Sequence, residues 1–250
     1  MSDQNEPRSA EARSRGDDGP DSALYKRDFW SKENLNYSRP HYRMEKAARI
    51  LNRLANGKRC TLLDVGCGPA TLRHLLEPNV EYFGIDIAIQ EAAPDLIEAD
   101  FVEGPIRFGD KTFDLVIAQG VFEYVGTLQA QKFAEIAELL SDGGILLASY
   151  VNFAHRKTDM YWPYSNIQPL ARFRSDLADH FDIKKSFPTS HNWRHAEPGR
   201  PLIKAANMHI NVNIPLVSTA LGVEYFFICS RREPTAAART MQGGATSQHR

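Results

Sequence analysis

The chain has 250 residues, a mass of 28.2 kDa and a formal net charge of -1, from 30 basic and 31 acidic side chains. This balance argues against a protein that holds duplex nucleic acid mainly through its phosphates, because such proteins carry an excess of basic residues. No apolar run approaches the roughly 18 residues of a membrane span, and the N-terminus lacks the apolar core of a secretory signal, so we expect no membrane partner.

Both ends of the chain are predicted to be disordered tails. Residues 1–22 are rich in Ser, Glu, Asp, Arg and Gly, and residues 232–250 have a similar composition. Segments of this kind bury too little apolar surface to offset the entropy of ordering. The remaining residues, 23–231, have the length of one α/β domain.

Between the tails, short apolar runs alternate with helical patterns, which is typical of βαβ units and a mostly parallel sheet. Helices are predicted at Arg43–Leu54, Ala70–Leu76, Leu128–Leu140 and Ala171–Asp179. Strands are predicted at Thr61–Val65, Tyr82–Ile87, Leu96–Ala99, Phe113–Ala118, Ile145–Val151, Phe181–Phe187 and Glu224–Cys229. The glycines of Asp142-Gly143-Gly144 are expected to end the third helix.

A glycine-rich turn follows the first strand, in the sequence Asp64-Val65-Gly66-Cys67-Gly68. Glycine permits a tight turn and lets a ligand approach the backbone, and the start of the next helix favours a negative group. The second strand brings Asp86 to its end, where a carboxylate can bind ribose hydroxyls. The spacing does not distinguish a dinucleotide from another adenosine cofactor.

From this turn onward the sequence resembles the class I S-adenosylmethionine-dependent methyltransferases. The resemblance covers about residues 60–150 and rests on the turn, Asp86, Glu98–Phe101, Phe113–Gln119, Phe122–Val125 and Leu140–Leu146. One departure is Ala70, where the family often has a third glycine. Because alanine is small, we expect only a slight change in how closely the chain passes the cofactor.

The resemblance implies a doubly wound α/β fold with a seven-stranded, mostly parallel sheet, an antiparallel last strand and helices on both faces. It also implies a methyltransferase with S-adenosylmethionine as its cofactor. Asp86 would bind the ribose hydroxyls, and Asp64 would help to hold the amino group. The full set of implied cofactor-binding residues is Asp64, Gly66, Gly68, Asp86, Asp100, Phe101, Gln119 and Arg43.

Within that set, the resemblance assigns different parts of the cofactor to different residues. Asp100 and Phe101 would contact adenine, and Gln119 would line the methionine portion. Arg43, near the start of an N-terminal helix, would pair with the methionine carboxylate. Asp114 begins its strand far from the cofactor edge and is expected to be structural.

Two stretches are longer than a minimal fold of this kind needs, at about residues 152–169 and 188–221. Both follow carboxyl ends of predicted parallel strands, so we expect them to overhang the cofactor and to form the substrate pocket. The substrate-binding candidates are Tyr124, Tyr161, Trp162 and Trp193. If the acceptor must lose a proton, the candidate bases are His155, His191 and His195, chosen by position.

No metal site is predicted. His191 and His195 are four residues apart, but Pro198 and Gly199 favour a loop and no further ligand follows. The three cysteines, Cys60, Cys67 and Cys229, are not spaced for zinc, and a sparse, odd number suits a reducing cytoplasm.

The leading hypothesis is therefore a cytoplasmic methyltransferase that acts on an oxygen or nitrogen of a small molecule such as a metabolite, sugar or natural product. An NAD-dependent oxidoreductase would also use the glycine turn and Asp86. A protein that binds S-adenosylmethionine without catalysis is a further alternative. No nucleic-acid partner is expected, and the sequence leaves the oligomeric state and the substrate open.

Overall fold

A computed structural model of the chain describes residue 31 and residues 37–152, 167–190, 222 and 224–232. Most of both predicted inserts and all but one residue of both predicted tails lie outside these residues. The described residues form three α-helices: α1 (Tyr42–Ala55), α2 (Gln129–Leu139) and α3 (Leu170–His180). They also form seven strands: β1 (Cys60–Val65), β2 (Val80–Asp86), β3 (Leu96–Glu98), β4 (Phe113–Ala118), β5 (Leu140–Val151), β6 (Phe181–Ser190) and β7 (Glu224–Arg231).

The strands form one sheet in the order β3-β2-β1-β4-β5-β7-β6. The first five strands along the chain pair in parallel, and β7 pairs antiparallel with both β5 and β6. The direction in which strands are added reverses between β1 and β4, which is where open α/β sheets bind ligands. The predicted fold class is confirmed.

Apolar side chains cover both faces of this sheet. On one face, α2 and α3 contribute Phe133 and Phe173 to an aromatic cluster with Phe122, and each of the three is fully buried. On the other face, α1 contributes Ala47 and Leu51. Strand β4 is covered on both sides, as its nearly continuous apolar sequence predicts.

The start of β5 differs from the sequence prediction. The helix α2 ends at Leu139 and the strand begins at once, so Gly143 and Gly144 do not cap the helix. Instead, Leu140 pairs with Phe113, and the pairing with β4 resumes only at Ile145. A Cβ on Gly144 would lie 3.0 Å from the Phe113 carbonyl oxygen, so glycine allows the chain to bulge against β4 here.

The segment after the glycine turn also differs from the prediction. It forms a 3-10 helix of five residues, Thr71–Leu75, rather than an α-helix from Ala70 to Leu76. So short a helix has little dipole, which weakens the expectation that its N-terminus attracts a negative group.

Candidate cofactor pocket

A pocket of about 170 Å³ opens at the carboxyl ends of β1, β2 and β4. The turn after β1 brings Gly66 and Gly68 to it, and β2 brings Asp86. The further lining residues include Tyr37, His41, Arg43, Met44, Asp64, Cys67, Ile87, Ala99, Phe101, Gln119, Gly120, Glu123, Tyr124 and Val151. Seven of the eight predicted cofactor-binding residues therefore share one pocket, and Asp100 is the exception.

The Asp86 carboxylate is oriented by the backbone. The Gly68 N–H donates to its Oδ2 at 2.8 Å, and the Ala88 N–H donates to its Oδ1 at 3.0 Å. Since a carboxylate accepts about four hydrogen bonds, these two backbone donors are compatible with two ribose hydroxyls. The carboxylate thus ties the end of β2 to the glycine turn and faces the pocket.

The glycine turn uses left-handed backbone conformations. Gly66 has a φ of 74° and Gly68 a φ of 53°. Ala70, at the position where the resembled family often has glycine, also has a positive φ of 52°. The departure noted in the sequence therefore puts a non-glycine residue in the conformation that glycine adopts most easily.

Asp64 lies beside the pocket in a dry environment. It is 5% exposed, and the Tyr82 hydroxyl donates to its Oδ2 at 2.8 Å. Burial raises the pKa of Asp64 to about 7; the Tyr82 hydrogen bond opposes this shift and the charge of the nearby Asp86 adds to it. A cationic group in the pocket would favour the ionised form.

On the side where adenine is expected, Phe101 is 5% exposed, lines the pocket and packs edge-to-face against Phe122. The neighbouring Asp100 accepts a hydrogen bond from the backbone. Its Oδ1 accepts the Val102 N–H at 2.7 Å, which shapes the turn after β3, and the residue does not line the pocket. The contact of Asp100 with adenine stays a prediction.

At the end of β4, Gln119 presents a donor to the pocket. Its Nε2 is buried without a hydrogen-bond partner among the described residues. The backbone beside it is fixed, because the Gly120 N–H donates to Ser149 Oγ at 3.0 Å. A buried amide group of this kind is costly unless a ligand accepts its hydrogen bond. The unpaired Nε2 of Gln119 could donate to the carboxylate of a methionine moiety.

Arg43 makes a contact that the sequence did not indicate. Its Nη2 lies 2.6 Å from Oε1 of Glu224, whose side chain is 4% exposed. The ion pair joins the start of α1 to the start of β7 at the pocket wall. A guanidinium has five N–H donors, so the contact with Glu224 does not prevent Arg43 from also binding a methionine carboxylate. That pairing stays a prediction.

Most of the other lining residues were not predicted from the sequence, and four of them bear on the chemistry of the pocket. Tyr37, His41 and Met44 come from the segment that leads into α1, and Thr71 Oγ1 donates to the Tyr37 carbonyl oxygen at 2.8 Å. Burial and, next, Arg43 lower the pKa of His41, so its imidazole is mainly neutral at pH 7. Glu123 is the fourth. The one sequence signal for this side of the pocket is the position of Tyr37 and His41 directly before the predicted N-terminal helix.

One of the predicted substrate-binding residues lies among the described residues, and the others do not. Tyr124 lines the pocket, next to Glu123. The other predicted substrate residues and all three candidate bases lie outside the described residues: Tyr161, Trp162, Trp193, His155, His191 and His195. Their roles stay predictions.

Asp114 has the structural position expected for it. Its Oδ2 accepts the Thr61 N–H at 2.9 Å, and its Oδ1 accepts the Ser141 hydroxyl at 3.0 Å. It therefore links the first residues of β1, β4 and β5 at the edge of the sheet opposite the pocket.

Within the described part of the chain, no group of three or more His, Cys, Asp or Glu side chains is arranged to hold a metal ion. The three cysteines are buried and form no disulfide. Among the same residues, no helix is long and apolar enough to cross a bilayer.

The sheet order and the pocket place the chain in the class of α/β proteins that bind a nucleoside-containing ligand at a topological switch point. Residues 40–195 match the family described as methyltransferase domain. The chain belongs to this family, which decides against the oxidoreductase alternative. It is a class I methyltransferase with S-adenosylmethionine as its cofactor, as the resemblance implied.

Solved structures share the fold at low sequence identity. A putative methyltransferase in a complex with the Trm112 activator of Haloferax volcanii is 18% identical, with 83% of this chain and 98% of that chain covered and a TM-score of 0.58. The N-methyltransferase NodS from Bradyrhizobium japonicum, crystallised with S-adenosyl-L-homocysteine, is 13% identical, with 75% of this chain and 87% of that chain covered and a TM-score of 0.50.

A TehB-like S-adenosylmethionine-dependent methyltransferase from Corynebacterium glutamicum is 11% identical, with 84% of this chain and 99% of that chain covered and a TM-score of 0.50. Among curated proteins, none matches this chain.

Proposed function

We propose that the pocket holds S-adenosylmethionine with its ribose at Asp86, its adenine beside Phe101 and its methionine portion toward Gln119. Asp86 lies on β2, and Gln119 follows β4, two strands away in the sheet. At about 4.8 Å per strand this separation is about 10 Å, which suits a nucleoside with an amino-acid extension.

We further propose that the methyl acceptor is an oxygen or nitrogen of a small molecule in the cytoplasm. When bound, the cofactor supplies a methyl group already activated by its positive sulfur, so the protein needs mainly to position the acceptor and exclude water. The apolar and aromatic lining by Met44, Phe101 and Tyr124 supports an organic guest. The near-neutral charge of the chain supports a metabolite over a nucleic acid.

The observation that carries the proposal is the Asp86 carboxylate, fixed by the N–H groups of Gly68 and Ala88 at the pocket. In Asp86→Asn, an amide NH₂ replaces one accepting oxygen and opposes one of these donors. We expect affinity for S-adenosylhomocysteine, measured by titration calorimetry, to fall about 10- to 100-fold, as for the loss of hydrogen bonds to a charged group.

Glu81→Gln is the matched control, because Glu81 lies on the same strand but is exposed and pairs only loosely with Arg59 and Lys111 among the described residues. Its affinity should equal that of the wild type. Unchanged affinity in Asp86→Asn would refute the proposed position of the ribose.

The acceptor is tested with the purified enzyme, cofactor labelled in its methyl group and fractionated cell extract. We expect the label to enter the low-molecular-weight fraction. Label that enters only the protein or nucleic-acid fraction would refute a small-molecule acceptor.

A further inference from the structure

Glu123 is a buried carboxyl group at the pocket with an unsatisfied oxygen. It lies in the 3-10 helix Phe122–Tyr124 that follows β4, and it is 2% exposed. The Val151 N–H donates to its Oε1 at 3.2 Å, whereas its Oε2 has no hydrogen-bond partner among the described residues. Leaving a buried carboxyl oxygen without a donor is costly, so this atom indicates a ligand that donates to it.

The charges around Glu123 favour a cationic donor. Glu224 on β7, Arg43 on α1 and Tyr150 on β5 are the titratable or charged groups that interact with it. Arg43 contacts Glu224 at 2.6 Å, and its charge also attracts Glu123. A cation from the pocket would balance the second carboxylate.

The ionisation of Glu123 is consistent with this inference. Burial and, next, Glu224 raise its pKa to about 7, against the opposing effects of its own backbone N–H, Arg43 and the Val151 N–H. At neutral pH the group therefore exists in both forms. It can attract a cation as a carboxylate, and it can also hold a proton.

The place of Glu123 in the sheet separates it from the ribose site. Asp86 ends β2, whereas Glu123 accepts a hydrogen bond from the N–H of Val151, the last residue of β5. Three strand spacings of about 4.8 Å, roughly 14 Å, lie between these strand ends. The unsatisfied oxygen is thus at the end of the pocket remote from the nucleoside.

We propose that Glu123 binds the methyl acceptor and that this acceptor is a primary or secondary amine, held as its ammonium ion. The inference rests on the proposed function and narrows its acceptor to nitrogen. Glu123 would take one proton from the ammonium, and the freed nitrogen lone pair would form the bond to the methyl carbon. As the carbon–sulfur bond breaks, its electron pair stays on sulfur, and the proton on Glu123 later passes to solvent.

The experiment uses n-butylammonium chloride as a probe on the protein saturated with S-adenosylhomocysteine. Its control is 1-butanol at equal concentration and constant ionic strength. We expect n-butylammonium, but not 1-butanol, to raise the melting temperature by about 1–3 °C. The apparent affinity should be about tenfold lower near pH 6 than near pH 8, because the carboxyl group is then mostly protonated.

Two variants complete the test. Glu123→Gln keeps an oxygen for the Val151 N–H but loses the charge, so the effect of n-butylammonium should disappear. Glu138→Gln removes an equal charge from the exposed face of α2, and the effect should remain.

The failure of this inference differs from the failure of the proposed function. Intact binding of S-adenosylhomocysteine without an ammonium-specific shift, or with a shift that persists in Glu123→Gln, overturns the amine proposal alone. Weaker binding of S-adenosylhomocysteine in Glu123→Gln would assign Glu123 to the cofactor's own amino group and would also overturn it. No binding of S-adenosylhomocysteine by the wild type refutes the proposed function.

Discussion

Gly66 combines a backbone conformation and a packing environment that both exclude a side chain. Its φ is 74°, and an added Cβ would lie 2.4 Å from Cγ2 of Val121. The Val side chain is stiff at χ1, so it relieves this contact only by moving the segment after β4. Since that segment also carries Gln119 and Glu123, the position of Gly66 affects both the stability and the pocket.

We therefore expect Gly66→Ala to destabilise the protein by about 2–4 kcal/mol, the sum of left-handed strain and overpacking. Its affinity for S-adenosylhomocysteine should also fall. The free energy of unfolding in urea and calorimetric titration measure the two effects.

Gly57→Ala separates strain from packing. Gly57 has a similar φ of 69°, but nothing lies within 4 Å of an added Cβ. This variant should lose only about 1 kcal/mol and should bind the ligand normally. Equal losses of stability in the two variants would mean that the contact with Val121 has no energetic cost.

The sequence indicates which residues reach the pocket where the signal is local. Gly66 follows a strand and Asp86 ends one, and strand ends can be read from apolar runs bounded by glycine or charge. Glu123 could not be recognised in this way, because its environment depends on Val151 and Glu224, which are distant in sequence. Nothing in the local pattern Phe-Glu-Tyr shows that this glutamate is buried.

At the scale of elements, the apolar periods locate the helices and strands, but the local sequence does not show the role of two glycines. Gly143 and Gly144 follow a helix, as capping glycines do, yet they lie in a bulge of β5 against β4. The pairing of β5 with its neighbour decides between the two arrangements. That pairing is a tertiary contact, so the local sequence does not encode it.

The ion pair between α1 and β7 should contribute unequally from its two sides. The Glu224 side chain is 4% exposed and that of Arg43 is 27% exposed. Removing Arg43 takes a cation away from a buried carboxylate, whereas removing the charge of Glu224 leaves a guanidinium that reaches water. We expect Arg43→Met to cost about 2–3 kcal/mol and Glu224→Gln about 1 kcal/mol, after allowance for the partial exposure of Arg43.

Urea unfolding of both variants and of the double variant measures this pair. The double variant should be more stable than the sum of the single losses predicts, since the two residues are in contact. Losses below about 0.5 kcal/mol in both single variants would instead describe an ordinary surface ion pair.

At the scale of the whole molecule, the sheet separates stability from binding. Asp114 links the starts of β1, β4 and β5 at one edge. Partial burial raises the pKa of Asp114, but the hydrogen bonds from Thr61 and Ser141 outweigh this effect and lower it overall. The opposite edge holds Asp64 and Glu123, whose pKa values are both raised to about 7 by burial. Ionisation therefore stabilises one edge and destabilises the pocket edge.

These opposite shifts fix the sign of the pH dependence. Asp114, with a lowered pKa, contributes stability at neutral pH that is lost as the pH falls through its folded pKa. Asp64 and Glu123 hold protons in the folded protein at a pH where the unfolded chain has released them. They therefore contribute stability that decreases as the pH rises from their ordinary values of 3.8 and 4.5 toward about 7.

The ligand-free protein should thus be less stable at pH 8 than at pH 5, and Asp64→Asn should reduce this difference. Each raised carboxyl group contributes a slope of at most about 1.4 kcal/mol per pH unit, so removing one of the two should reduce the loss of stability with pH by up to this amount. The lowered pKa of His41 adds a slope of opposite sign, which both proteins share. The asparagine oxygen can still accept the hydrogen bond of the Tyr82 hydroxyl.

Urea unfolding at both pH values is the measurement, with Asp142→Asn, at an exposed site, as the control. If the Asp64→Asn slope equals that of the wild type, Asp64 is already ionised in the folded protein, and the cation that offsets its burial must come from the protein itself.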